Sequence, residues 1–433
     1  MQAVAAKLRP PAVYQRAFID AIDVVRRIAQ RSHKLAHQVA FVVPIQPIFV
    51  GLLAGFVGFA SSFAVVLGGL SAAGASEAQS ASGLLAVTVA CGICAIVLSL
   101  HTRLPVSIAW STPGAALLAT TGATADGFAG AVGAFMIAGV GYVLAGLWKP
   151  LARAVASVPP HLASAMLAGV LLNLCLAPFK ALAFDVMLGA PILIAWLVVG
   201  LFSRLWAIPA ALVAFVLVVA FGVPMPEHAF SALQASLLPE FEVVTPVFSL
   251  SALFGVAIPL FLVTMASQNI AGIAVLQSCG YSVRAGPWIA TTGVFSLLAA
   301  PFGGHSVNLA AITAALCAGE DAHPVRALRF WAAAFMGVAM ISLGLASGLV
   351  ITFVSLAPPV LIEAVAGLAL FGAFTSAIVA ALKDPQTRES SAVTLLFAAS
   401  GISVFGVSGA FWGLLAGAAI GLAKRFINQR RVT

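Results

Sequence analysis

Fourteen apolar runs, set apart by glycine, proline or charge, fill most of the chain between residues 45 and 426. They lie near 45–70, 83–100, 105–121, 127–147, 160–177, 188–203, 205–222, 247–270, 286–300, 304–318, 327–349, 359–382, 390–405 and 409–426. A helix crosses the hydrocarbon core of a bilayer with about 20 apolar residues. The pattern therefore predicts an all-α polytopic membrane protein with 14 transmembrane segments. A twelve-span count would require two short runs to be demoted as a pair. Composition removes the other classes. Of 433 residues, 62% are hydrophobic and 8% charged, and the mean hydropathy is +1.11. Soluble domains carry roughly 25% charged residues, and disordered chains pair low hydrophobicity with high charge. The formal charge of +8 does not mark a nucleic-acid binder, because the basic residues sit in short gaps between apolar runs.

Those gaps orient the chain. With a cytoplasmic N-terminus, 20 of the 21 Lys/Arg fall on the cytoplasmic side, and only Lys180 falls outside. Positive residues are retained inside, and a wrong span count rarely obeys the rule so well. Both termini are expected in the cytoplasm. Segment 1–40 holds seven of these cations, and Phe18, Ile22, Val25 and Ala29 recur at helical spacing. It reads either as a cationic helix lying on the lipid surface or as a solvated tail that sets orientation. It is not a secretory signal, since no small-residue cleavage site follows a short apolar core, so the mature protein is expected to keep all its residues. Cys91, Cys94, Cys175, Cys279 and Cys317 read as small packing residues. No metal and no cofactor are expected.

Self-similarity at one offset divides the chain. Pro47-Ile48-Phe49 matches Pro246-Val247-Phe248, Ser107 with Ala115-Ala116-Leu117 matches Ser306 with Ala314-Ala315-Leu316, and Pro159-Pro160 matches Pro358-Pro359, all 199 residues apart. Ala134-Phe135-Met136 matches Ala334-Phe335-Met336 at 200. The halves are 41–222 and 245–426, joined by a periplasmic linker at 223–244, with a cytoplasmic tail at 427–433. Seven spans is an odd number, so the second half enters the membrane from the opposite side. Inverted repeats of this kind are a plan of secondary transporters, and no GxxxxGK[ST] loop for ATP is present.

In such folds the substrate sits where two corresponding spans are interrupted. Spans 3 and 10 fit. Pro105 and β-branched residues give span 3 a short extended start, and Ser111 or Thr112 can cap a helix opened by Pro113. In span 10, Gly303-Gly304 precede His305-Ser306-Val307-Asn308, with Asn308 or Ser306 as the expected cap. Two helix starts facing one cavity make an anion site, because their free N–H groups carry partial positive charge. The candidate substrate-binding residues are Ser107, Trp110, Ser111, Thr112, His305, Ser306 and Asn308, with Trp110 placed to stack on a flat group. Span 8 adds Thr264, then Ser267, Gln268 and Asn269, polar groups that need a cavity or partners. Ser61 and Ser62 occupy the matching place in span 1, and Asn173 reads as a helix–helix hydrogen bond. His305, with an ordinary pKa of about 6.5, and Glu363, alone among 13 Asp/Glu in falling within an expected span, are the proton-coupling candidates. Each has an alternative reading: His305 as a neutral donor to substrate, and Glu363 as an interfacial residue.

The stretches Pro105-Val106-Ser107-Ile108-Ala109-Trp110-Ser111-Thr112-Pro113-Gly114, Ser267-Gln268-Asn269-Ile270-Ala271-Gly272 and Pro301-Phe302-Gly303-Gly304-His305-Ser306-Val307-Asn308-Leu309 resemble the benzoate/proton symporters of bacterial inner membranes. The resemblance implies import of benzoate or a similar aromatic carboxylate with protons. More distantly, the plan is similar to the fold of nucleobase–ascorbate and sulfate/bicarbonate transporters. That likeness implies a core domain of spans 1–4 and 8–11, a gate domain of spans 5–7 and 12–14, strands in spans 3 and 10, and a homodimer through the gate. The nucleobase carriers hold their ligand with a Glu in span 8, where this chain has Ser267, Gln268 and Asn269. That departure suits an anion and removes the obvious proton site. An inorganic-anion or other organic-acid carrier, an anion channel and a membrane-embedded enzyme are the rival readings.

Overall fold

The computed structural model describes residues 44–156, 159–224, 226, 234, 236, 241–310, 312–404 and 407–432. The cationic segment 1–40 and most of the joining segment 223–244 fall outside them. Among the described residues, eight helices are long and apolar enough to cross a membrane: Ile45–Ala72, Glu77–Thr102, Gly127–Leu147, Pro160–Phe184, Leu250–Ser278, Ala285–Phe302, Arg326–Leu345 and Pro359–Leu382. Val186–Phe202, Trp206–Gly222 and Gly409–Lys424 are shorter apolar helices. The runs expected at 105–121, 304–318 and 390–405 contain helices of 10, 7 and 12 residues.

The first long helix is broken into α1 (Ile45–Ala60) and α2 (Phe63–Ala72). At the break both Ser61 and Ser62 donate their hydroxyls back to the Gly58 carbonyl at 3.0 Å. Next comes α3 (Glu77–Thr102), opened by a capping box between Ser76 and Gln79. After Pro105 the chain is extended as β1 (Ile108–Trp110) and then turns into α4 (Thr112–Thr121). Ten helical residues rise about 15 Å, half the bilayer core. Helices, a strand and a short helix follow in the same order later in the chain. Helix α5 (Gly127–Leu147) is followed, after the elements of 149–222, by α11 (Leu250–Ser278), α12 (Ala285–Ala299), β2 (Val307–Leu309) and α13 (Ile312–Ala318). The caps expected from Ser306 and Asn308 are not found. Asn308 lies within β2 and α13 starts only at Ile312, because strand pairing carries the extended conformation past both residues.

Strands β1 and β2 pair antiparallel, with Ile108 opposite Leu309, Ala109 opposite Asn308 and Trp110 opposite Val307. Residues 108, 109 and 110 are the 199-offset counterparts of 307, 308 and 309. Each residue thus pairs with the counterpart of its mirror neighbour, the register a two-fold axis between Ala109 and Asn308 would impose. Flanking helices complete the strand edges. Ser99 of α3 donates to the Val106 carbonyl at 3.2 Å, and Ser296 of α12 accepts from the Val307 N–H at 2.8 Å.

Packing sorts the helices into two groups. In one, α3 packs on α14 (Phe330–Leu345), α5 on α12, and α1 on α14. In the other, α7 (Pro160–Cys175) packs on α16 (Pro359–Leu382) and on α17 (Arg388–Ala399), and α17 on α18 (Gly409–Val432). Asn173 of α7 donates to the Ala399 carbonyl at 2.9 Å, the inter-helix bond expected for it. Small residues make close approach possible, as is usual where lipid removes the hydrophobic drive between helices. A Cβ on Gly92 would lie 2.5 Å from the Gly337 carbonyl oxygen. Adjacent glycines of α2 make the point testable. A Cβ on Gly69 would meet the Ala115 carbonyl of α4 at 2.4 Å, whereas one on Gly68 meets nothing within 4 Å. Gly69→Ala is expected to destabilise the detergent-solubilised protein by about 1–3 kcal/mol, the usual cost of overpacking, and Gly68→Ala to leave its thermal unfolding unchanged.

Candidate functional site

The crossing of β1 and β2 is where the expected polar residues meet. Ser107, Trp110, Ser111, Thr264, Asn269, His305, Ser306 and Asn308 are each no more than 1% exposed. They form four small networks around the strand pair.

The first is centred on Ser111, which caps α4. Its side-chain oxygen accepts from the Gly114 N–H at 3.0 Å, and Pro113 has no N–H to satisfy. Thr264 of α11 donates to the same oxygen at 2.7 Å. His305 Nε2 lies 3.0 Å from the Ser111 carbonyl. A carbonyl only accepts, so Nε2 carries the proton and donates, and Nδ1 is left as a bare acceptor. Nδ1 is buried without a partner among the described residues, and so is Asn308 Oδ1. The Phe135 ring stands edge-on to the imidazole at 6.4 Å.

The second network runs through Tyr142 of α5. Ser306 donates to the phenol oxygen at 3.2 Å, and the phenol donates to the Leu260 carbonyl at 3.4 Å. The ring stacks on Phe261 at 5.6 Å. Tyr142 is absent from the residues picked out by sequence. Its signal is a phenol, one of only three tyrosines, inside an apolar run, where it must find a partner.

The third network holds β2. Asn269 accepts from the Leu309 N–H at 3.0 Å and donates to Met265 Sδ at 3.3 Å. A π-helical turn at Met265–Asn269 aims it there; one extra residue in the turn shifts the face that follows. Asn269 is thereby committed to the strand edge. Ser267 folds back onto the Val263 carbonyl, while Gln268, partly exposed, makes no hydrogen bond among the described residues.

The fourth joins Ser107 to Thr313 at 2.6 Å and to Met336 Sδ at 3.1 Å. Trp110 is held apart from these. Its indole N–H donates to Ser62 at 2.9 Å, and its ring meets Phe59 edge-on at 5.6 Å, so it acts as a buried wall with no free donor. Thr112 is partly buried, and among the described residues nothing engages its N–H. Glu363 stands on an exposed face of α16, with no hydrogen bond to the cluster among the described residues. No buried Asp or Glu occurs among them, and the one buried charge is Arg329. Arg329 donates to the Ala318 and His323 carbonyls at 2.8 and 2.7 Å and so closes the C-terminus of α13.

At the start of α4, then, two donors are unassigned: the Ser111 O–H and the Thr112 N–H. They lie at the positive end of a helix dipole in a cluster without a carboxylate. Such an arrangement can hold an anion without a cationic side chain.

Comparison with known proteins identifies the family and the fold. The family model described as benzoate membrane transport protein matches residues 42–422. The inner membrane protein YdcO of Escherichia coli is 37% identical over 392 residues, covering 90% of this chain and 98% of that protein. The benzoate membrane transport protein of Acinetobacter baylyi is 31% identical over 371 residues, covering 85% and 92% respectively. Among solved structures, the transmembrane domain of the cyanobacterium bicarbonate transporter BicA superposes with a TM-score of 0.54 at 16% identity, over 87% of this chain and 98% of that one. The anion-transporter family member SLC26A9 gives 0.57 at 12% identity, over 88% of this chain and 66% of that one. At such identities the shared feature is the fold. By family match and by these relatives, the chain belongs to the benzoate membrane transport protein family of multi-pass membrane transporters.

Proposed function

We propose that this transporter imports benzoate, or a similar aromatic carboxylate, together with protons across a bacterial inner membrane by alternating access. The observation that carries the reading is the pair of unassigned donors at the start of α4, Ser111 O–H and Thr112 N–H, in a buried cluster free of acids. A carboxylate there gains the helix dipole and two donors in a low-dielectric setting, where they act more strongly than in water. Gln268 supplies a further hydrogen bond, and the ring lies against apolar walls.

The topology proposed for this activity has 14 spans in two inverted seven-span repeats, 41–222 and 245–426, with the linker 223–244 in the periplasm and both termini in the cytoplasm. Support comes from the strand register and from the one-sided placement of Lys/Arg. Spans 1–4 and 8–11 form the core and spans 5–7 and 12–14 the gate, a division that follows the two packing groups. The gate also carries the homodimer contact.

His305 is the proposed proton carrier. Its Nδ1 is a buried lone pair without a donor, and its Nε2–H is fixed on the Ser111 carbonyl beside the proposed carboxylate position. Protonation beside a bound anion replaces an isolated buried charge, expensive in a membrane, by a pair. Glu363, exposed on α16 and without a hydrogen bond to the cluster among the described residues, is not given this role.

Protein reconstituted in liposomes is expected to accumulate labelled benzoate when the outside is acidified. Competition by substituted benzoates, and none by sulfate or bicarbonate, separates this reading from an inorganic-anion carrier, and uphill accumulation separates it from a channel. Flux indifferent to the pH gradient would remove the coupling claim. His305→Gln keeps a donor but cannot take up a proton. It is expected to retain benzoate exchange while losing about tenfold or more of proton-driven accumulation, whereas Glu363→Gln leaves both intact. Undiminished accumulation by His305→Gln would move the proton elsewhere.

A further inference from the structure

A helical Thr or Ser usually donates its hydroxyl back to the carbonyl four residues earlier. Here Thr88, Thr102, Thr291 and Ser267 all do so, onto Leu84, Leu98, Pro287 and Val263. Thr264 does not. The carbonyl it would use is that of Leu260, and the Tyr142 hydroxyl, which lies against Thr264, already donates to it. Tyr142 in turn receives a hydrogen bond from Ser306, and because a carbonyl only accepts, its own hydrogen goes to Leu260. Thr264 is turned instead toward α4, where it donates to Ser111 Oγ at 2.7 Å.

This has a consequence for Ser111. Its oxygen accepts twice, from Gly114 N–H and from Thr264 Oγ1–H. A hydroxyl oxygen has two lone pairs and one hydrogen, so both acceptor positions are filled. The hydrogen is excluded from both directions and has no acceptor among the described residues. Without Thr264 a lone pair would be free, and the hydrogen could turn away from the helix start.

We propose that Thr264, held in place by Tyr142, is a positioning residue for substrate recognition: its hydroxyl saturates Ser111 Oγ and so aims the Ser111 O–H at the carboxylate. The inference rests on the reading that the carboxylate docks at the start of α4. It explains why a hydroxyl from α11 and a phenol from α5 are both buried beside a cap that Gly114 alone would satisfy. The selectivity that follows favours a group with acceptor oxygens and no hydrogen to donate, which an ionised carboxylate is and a protonated acid is not.

Binding of benzoate to the full-length protein in detergent, measured by calorimetry, tests it. Ser111→Ala establishes the site and is expected to raise the Kd about tenfold or more, the effect of losing a hydrogen bond to a charged group. Thr264→Val, similar in shape but without a hydroxyl, is expected to raise it about threefold to tenfold, and Thr264→Ser to restore it to within about twofold. Tyr142→Phe leaves both hydroxyls in place but frees the Leu260 carbonyl to recapture Thr264. It is expected to weaken binding in the same direction, and it serves where Thr264→Val does not accumulate in the membrane. A purely structural role for Thr264 would lower thermal stability without rescue by Ser. If Ser111→Ala weakens benzoate while Thr264→Val and Tyr142→Phe do not, the positioning role is wrong and the site stands. Should Ser111→Ala itself bind benzoate normally, the site reading fails and this inference with it.

Discussion

A peptide group inside a bilayer has no water to bond, and each one left unpaired costs several kcal/mol. Every other feature of the site follows from how this chain meets that demand where two of its membrane segments stop being helical. Residues 108–110 and 307–309 lend each other their backbone hydrogen bonds. Hydroxyls from α3 and α12 and the Asn269 amide finish the outer edges of the strands. The strand pair is thus a closed unit of three residues a side, and it leads directly into the start of α4.

Side chains around this unit divide into those that hold it and those that remain free. Asn269, Ser296 and Ser107 hold it through partners around the strands, and Trp110 is fixed on Ser62. The remainder are few: one hydroxyl hydrogen, one backbone N–H, and two orphaned acceptors on His305 and Asn308. Chemistry that binds an anion together with a proton needs both kinds of group. The half of the crossing that carries them breaks the symmetry of the repeat. The 199-offset counterparts of Ser111 and His305 are Ala310 and Val106, so these two polar positions have apolar counterparts across the strand pair.

Much of the candidate site was legible because its signals are local. Pro105, Pro113 and Gly303-Gly304 interrupt apolar runs within a few residues of the break, and Ser111 caps the helix three residues ahead of Gly114. Asn173 in an apolar run could only be paired, and it is. The misses share a different cause. Tyr142 meets Ser306 across 164 residues, and Thr264 meets Ser111 across 153. The failed caps of α13 arose from taking Ser306 and Asn308 as caps when they lie at and in the strand; the 199-offset counterpart of the Ser111 cap is Ala310, which has no side-chain acceptor.

Sequence by itself determined that the chain lives in a membrane and where its helices break, because hydropathy and Pro/Gly punctuation act over short distances. Only the tertiary structure decided the register of the two strands, which hydroxyl donates to which, and which donors are left over. Those choices depend on helices far apart in the chain arriving side by side, and on the count of lone pairs and hydrogens once they do. A residue's type lists what it can bond, and its neighbours in space decide what remains for a ligand.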